Sequence, residues 1–171
     1  MKILLTGSNG MVGRNILAHN ESKNYLILSP GRQDLDLLCP TKINAYLQEH
    51  QPDFIIHAAG IVGGIEANIK EPHKFLSDNA NIGLNLINSA LKNSVDNFLN
   101  LGSSCMYPKN AKNPLEVSSI LDGKLEPTNE GYALAKIVST RLCEYISREN
   151  LSFNYKTLIP CNLFGRYDQF N

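Results

Sequence analysis

Five apolar runs of strand length, separated by stretches of helical period, constrain the fold of this chain more than any other feature. The runs cover residues 2–5, 25–28, 53–57, 97–101 and 154–159, and they are mostly apolar rather than alternating. A strand covered on both faces has that character, which points to a parallel sheet. Between them, residues 11–19, 41–50, 72–92 and 130–149 carry apolar side chains at spacings of three and four, as helices do. In the third of these, Phe75, Leu76, Ala80, Leu84, Ile87 and Leu91 form a stripe wide enough to face more than one neighbour. Repeated βαβ units with right-handed crossovers predict an α/β chain with a doubly wound parallel sheet.

A chain of 171 residues with 43% hydrophobic content is long enough for one such core, so residues 1–171 read as a single domain. Sixteen basic and sixteen acidic residues cancel, which points away from nucleic acid and anionic membranes as partners. No charge-free stretch approaches the roughly 18 residues of a membrane span, and a soluble, cytoplasmic chain is expected. Cys39, Cys105, Cys143 and Cys161 are spread without CxxC or Cys/His spacing, so four reduced thiols and no metal site are expected. Two loops are long, 60–71 and 102–129. Both follow strands, where the loops of a doubly wound sheet surround the ligand.

Between the first strand and the first helix stands Thr6-Gly7-Ser8-Asn9-Gly10-Met11-Val12-Gly13. Gly7 and Gly10 can turn tightly beside a pyrophosphate, Gly13 lets helix and strand approach, and the amides from Ser8 to Val12 face the anion. This placement predicts dinucleotide binding. After the second strand the chain reads Leu28-Ser29-Pro30-Gly31-Arg32, and the Arg32 guanidinium is suited to the 2′-phosphate of NADP. A solvated Arg32, with Asp34 or Asp36 on a ribose, is the alternative.

Tyr132 and Lys136 lie four residues apart on one helix face, where a nearby ammonium is expected to draw the phenol's pKa down toward neutrality. Tyr132 then becomes a general acid or base for a carbonyl that receives a hydride. Leu101-Gly102-Ser103-Ser104 ends the fourth strand, at the cofactor crevice, with Ser103 placed to donate to a developing oxyanion and Lys136 to hold both the tyrosine and the nicotinamide ribose. Surface roles for Tyr132 and Lys136, and strand-end capping for Ser103, are the bland alternatives.

Taken together, the TGxxGxxG, the strand-end serine and the YxxxK resemble the extended short-chain dehydrogenase/reductases, whose dinucleotide-binding fold is Rossmann-type. Longer stretches narrow this. His57-Ala58-Ala59, Val62-Gly63-Gly64-Ile65, Gly102-Ser103-Ser104-Cys105-Met106-Tyr107-Pro108-Lys109 and Leu125-Glu126-Pro127-Thr128-Asn129-Glu130 are similar to the GDP-L-fucose synthase family. That resemblance implies an NADPH-dependent enzyme acting on GDP-4-keto-6-deoxy-D-mannose, epimerising C3 and C5 and reducing the C4 ketone. It implies Cys105 as the epimerisation base, Ser103 at the C4 oxygen, Tyr132 and Lys136 in the reduction, and Pro160, Asn162 and Leu163 beside the nicotinamide, with Asn162 also a substrate contact. It further implies a homodimer through helices 72–92 and 130–149.

There are departures. Ser8-Asn9 replaces a basic residue of the family's glycine loop, another basic residue is replaced near Ile61, and Arg166-Tyr167 stand where the family continues with Pro and His. The family's epimerisation acid and its sugar-nucleotide part lie beyond the position matching Asn171. The chain is therefore expected to lack a substrate-binding domain, to bind cofactor weakly and to turn over no GDP-sugar alone. A 4-keto reductase without epimerisation, or a non-catalytic dinucleotide-binding fragment, are the competing readings. His19, His50, His57 and His73 are expected to be structural or solvated.

Overall fold

The computed structural model describes residues 1–168. Strands β1 (Lys2–Thr6), β2 (Leu26–Leu28), β3 (Phe54–His57), β4 (Asn97–Leu101) and β5 (Asn154–Leu158) form one parallel sheet in the order β2-β1-β3-β4-β5. The helices are α1 (Met11–Ala18), α2 (Pro40–His50), α3 (Ile65–Lys70), α4 (Pro72–Lys92) and α5 (Glu130–Glu149). This is the expected doubly wound, Rossmann-type parallel sheet.

Alternation along the strands divides the sheet into two faces. Leu4, Ile55, Phe98 and Tyr155 point to one, where Ile43 and Leu47 of α2, Leu86, Ile87 and Ala90 of α4, and Cys143 and Ile146 of α5 close the main core. Tyr155 stacks on Phe98 at 5.2 Å and donates its phenol to the Val95 carbonyl at 2.9 Å, so the buried hydroxyl has a partner. The wide stripe of α4 is used as its sequence predicts, against α2 on one side and α5 on the other. On the opposite face Ile3, Ile27 and Ile56 line a groove together with Met11, Val12 and Ile16 of α1.

Strand order reverses between β1 and β3. The loops leaving these two strands diverge and open a crevice at their carboxyl ends, the standard ligand position in such sheets.

Three connections carry structure of their own. Residues 60–71 are not a continuous loop, because α3 forms inside them: buried Asn68 donates to the Gly63 and Gly64 carbonyls at 2.9 and 3.0 Å, fastening the turn that starts the helix. Between α1 and β2, a stretch without a sequence-based expectation, residues 20–24 form a 3-10 turn capped by the His19 ring. The 102–129 segment folds on itself with 3-10 turns at Ser104–Met106 and Val117–Ser119, and a small core of Met106, Ile120, Leu125, Ala133 and Ile137 fastens it to α5.

Candidate active site

The glycine loop is shaped by close backbone approach. Gly7 has φ +72°, in the left-handed region, and a Cβ there would lie 2.6 Å from the Ala58 carbonyl carbon and oxygen. A Cβ on Gly13 would overlap the Gly7 carbonyl oxygen, so Gly13 is what lets α1 sit directly behind the loop. Gly10 donates to the Gly7 carbonyl at 3.0 Å and precedes α1, which begins with no side-chain cap and no acidic residue in its first turn. The Met11 and Val12 amides are therefore left for an anion.

Gly7, Ser8, Asn9 and Gly10 form one wall of a cavity of about 220 Å³, which Gly31, Arg32 and Asp36 continue along β2's exit and Ala59, Gly60 and Ile61 close from β3. This cradle fits a dinucleotide: Gly7 keeps the main chain of β1 and β3 close where a Cβ would clash, and Arg32 lines the same cavity. Asp34 instead accepts the Gly31 amide at 3.1 Å, and Asp36 accepts the Leu38 amide at 3.1 Å.

The catalytic candidates gather at the carboxyl end of β4. Lys136, 8% exposed, reaches from α5 and donates to the Leu101 carbonyl at 2.8 Å. Its ammonium lies 5.7 Å from the centre of the Tyr132 ring, over the ring's face. Ser103 caps the following 3-10 turn, and its hydroxyl oxygen accepts both the Cys105 amide at 3.4 Å and the Cys105 thiol at 3.0 Å. A Cβ on Gly60 would stand 3.1 Å from Asn79 Oδ1 and 3.8 Å from Lys136 Nζ, so the glycine cradle and the Tyr-Lys pair share one wall.

Burial governs the protonation of this cluster. It pushes the Tyr132 phenol up to about 12, with Cys105 adding to the rise, and brings the Lys136 ammonium down to about 8. The Cys105 thiol is also raised by burial, with its hydrogen bond to Ser103 opposing the rise. The spacing-based expectation that Lys136 lowers the Tyr132 pKa is thus corrected. The ammonium lies over the ring and its hydrogen bond goes to Leu101 rather than to the phenol oxygen.

His57 is buried, hydrogen-bonded through Nδ1 to Thr6 Oγ1 at 2.8 Å, and brought down to about 3 by burial and then by Lys136. It is a neutral structural imidazole beneath the site. Pro160 is tied to the cluster, since its carbonyl accepts the Ser104 amide at 3.1 Å. Asn162 and Leu163 are exposed, and Leu163 lines a groove with Met11 and Val12 on the opposite face of the sheet, away from Tyr132 and Lys136. Segment 108–127 encloses a separate hollow and contributes no side chain to the cradle.

Asn79 was not singled out by the sequence. Its carboxamide clasps the main chain of Ile61, accepting from its amide at 2.7 Å and donating to its carbonyl at 3.0 Å, and so positions the loop that closes the cradle.

Residues 3–171 match the NAD dependent epimerase/dehydratase family. The chain belongs to that family. It is 60% identical over 171 residues to a GDP-L-colitose synthase of Yersinia pseudotuberculosis, covering 100% of this chain and 56% of that protein. It is 48% identical over 170 residues to a GDP-L-fucose synthase of Azorhizobium caulinodans, covering 99% of this chain and 54% of that one. The chain thus spans about half the length of the curated relatives it matches. A solved GDP-L-fucose synthetase from Naegleria fowleri bound to NADP superimposes with a TM-score of 0.88 at 26% identity, over 99% of this chain and 56% of that one. A Campylobacter jejuni GDP-D-glycero-L-gluco-heptose synthase, solved in the presence of NADPH, gives 0.92 at 29%, over 99% and 50%.

Proposed function

We propose that this chain forms the NADPH-binding and catalytic part of an epimerase/reductase acting on a GDP-4-keto-6-deoxy-sugar. The observation that carries the reading is the shared wall at Gly60, which sets the Lys136 ammonium beside the glycine cradle and brings Tyr132, Ser103 and Cys105 to the same mouth.

The residues present support a division of labour. Gly7 to Val12 hold the pyrophosphate by main-chain amides and Arg32 takes the 2′-phosphate. The cofactor, when bound, supplies a hydride to the C4 ketone. Tyr132 gives the proton to the resulting alkoxide: a phenol raised to about 12 is fully protonated at neutral pH and thus stands ready as an acid. Lys136, charged below about 8, holds the ribose and stabilises the phenolate left behind. Ser103 donates to the C4 oxygen, Cys105 takes the carbon-bound proton during epimerisation, and Asn162 contacts the sugar. By the same resemblance the protein is a cytoplasmic homodimer through α4 and α5, where Leu76, Val138 and Tyr145 are exposed.

A second reading, reduction at C4 without epimerisation, is favoured by the raised Cys105 thiol and by the likeness to a GDP-mannoheptose C4 reductase from Campylobacter jejuni. NADPH oxidation and product stereochemistry, followed with the protein as its source cell makes it, test both. The main reading expects a C3- and C5-inverted product, loss of turnover in Cys105→Ser, and a roughly 10²- to 10⁴-fold loss of reduction in Tyr132→Phe. Full turnover in Cys105→Ser supports the second reading, and full turnover in Tyr132→Phe contradicts both.

A further inference from the structure

Ser103 has one hydroxyl proton and two groups with a claim on it. Its oxygen accepts the Cys105 amide at 3.4 Å and the Cys105 thiol at 3.0 Å, which occupies both lone pairs and directs its O–H away from the sulfur. Once Cys105 is a thiolate, the sulfur has no proton to give, and the same short contact becomes an O–H donated from Ser103 to sulfur. We propose that Ser103 is a proton-state switch, donating to the Cys105 thiolate before the sugar is deprotonated and to the sugar oxygen afterwards.

This rests on the proposed epimerase reading and deepens it. The step balances without a further reactant. The thiolate takes the proton from the carbon beside the ketone, so a C–H bond breaks and an S–H bond forms. The released electron pair moves through the new C=C bond onto the C4 oxygen. At that moment the thiol resumes donation to Ser103 Oγ, and the hydroxyl is released toward the oxygen that has just gained charge. Proton uptake at sulfur and stabilisation of the enolate oxygen are therefore one event, and the hydroxyl that serves C4 reduction is free only when Cys105 is protonated. The titratable group that acts on the thiol is Lys136 of α5, and Cys105 in turn acts on Tyr132 of the same helix. The raised thiol pKa keeps the sulfur protonated in the resting protein, in the arrangement seen here.

The first test needs neither cofactor nor sugar. Alkylation of Cys105 by iodoacetamide, read on its own peptide by mass spectrometry from pH 6 to 10, is compared in the wild-type chain, Ser103→Ala and Ser103→Thr. Loss of a hydrogen bond to the charged sulfur is expected to slow alkylation at pH 8 by about tenfold and move its midpoint upward, and the threonine hydroxyl is expected to restore both to within about threefold. An unchanged midpoint in folded Ser103→Ala overturns the switch. In the second test, deuterium exchange into C3 and C5 of the keto-sugar is measured on the protein as its source cell makes it. Ser103→Ala is expected to lose exchange and reduction together, while Tyr132→Phe loses reduction alone; exchange intact in Ser103→Ala also overturns the switch. Absence of exchange in the wild type, with the alkylation shift present, would instead count against the epimerase reading.

Discussion

The Lys136 ammonium lies 5.7 Å from the centre of the Tyr132 ring, over its face, while its short hydrogen bond goes to the Leu101 carbonyl at 2.8 Å. The two residues are neighbours by helical spacing, yet the lysine is anchored to β4 and not to the phenol oxygen. Burial then acts on each in its own direction, raising the phenol and lowering the ammonium.

Lys136 is therefore held at a cost to stability. Its ordinary value of 10.5 falls to about 8 in the fold, so between these values the unfolded chain binds more protons than the folded one. Stability from this residue rises with pH across that window, and the full penalty applies below it. Lys136→Met is expected to stabilise the chain at pH 7 by about 1–2 kcal/mol, or about 2–8 °C in Tm. Thermal unfolding followed by circular dichroism checks this, and a lowered Tm would show that the bond to Leu101 outweighs the cost of burial. Reduction is expected to decline as pH rises through about 8, where the ammonium is lost.

His57 acts in the same direction at lower pH. Its pKa falls from 6.5 to about 3, so the unfolded chain takes up a proton that the folded chain refuses as pH drops through that window. The resulting loss is roughly 3 kcal/mol between pH 7 and pH 4. His57→Leu is expected to be less stable than wild type at pH 7, having lost the Thr6 partner, and to close much of that gap at pH 4. Urea unfolding at the two pH values reads this, and a gap of constant size would contradict it.

Gly7 and Gly64 make a matched pair. A Cβ on Gly7 meets Ala58 main chain at 2.6 Å in a left-handed backbone, whereas a Cβ on Gly64 meets nothing within 4 Å. Gly7→Ala is expected to cost about 1–3 kcal/mol and to weaken NADPH binding by more than tenfold, with Gly64→Ala close to wild type in both. Cofactor fluorescence titration and urea unfolding check the contrast.

Val138 and Tyr145, 41% and 44% exposed, lie seven residues apart on the side of α5 away from the core. If α4 and α5 form the dimer contact, Val138→Glu is expected to convert a dimer to a monomer in sedimentation while leaving the circular dichroism spectrum unchanged. A dimer that survives this substitution would place the contact elsewhere.

The parallel sheet was legible because its inner strands β1 and β3 read as apolar runs, whereas the edge strands β2 and β5 leave Leu26 and Leu158 exposed; β4 and the long helices α4 and α5 keep the bounds their patterns predict. Helix α3 was not, since Ile65 and Ile69 are exposed and its anchor is the polar Asn68. Spacing alone showed that Tyr132 and Lys136 share a helix face, but it carried no information on the Leu101 carbonyl that claims the ammonium, nor on the burial that raises the phenol. Asn79 was missed for a related reason. On a helix surface an asparagine reads as solvated, and only the loop from β3 folding over it makes its carboxamide a main-chain clasp.

The measurement closest to the central claim is transfer of deuterium from C4-deuterated NADPH to the GDP-4-keto-6-deoxy-sugar, using the protein as its source cell makes it. Deuterium at C4 of the sugar, lost in Tyr132→Phe while NADPH still binds, is the predicted result. Keto-sugar recovered without label, with NADPH bound but unconsumed, would contradict the account.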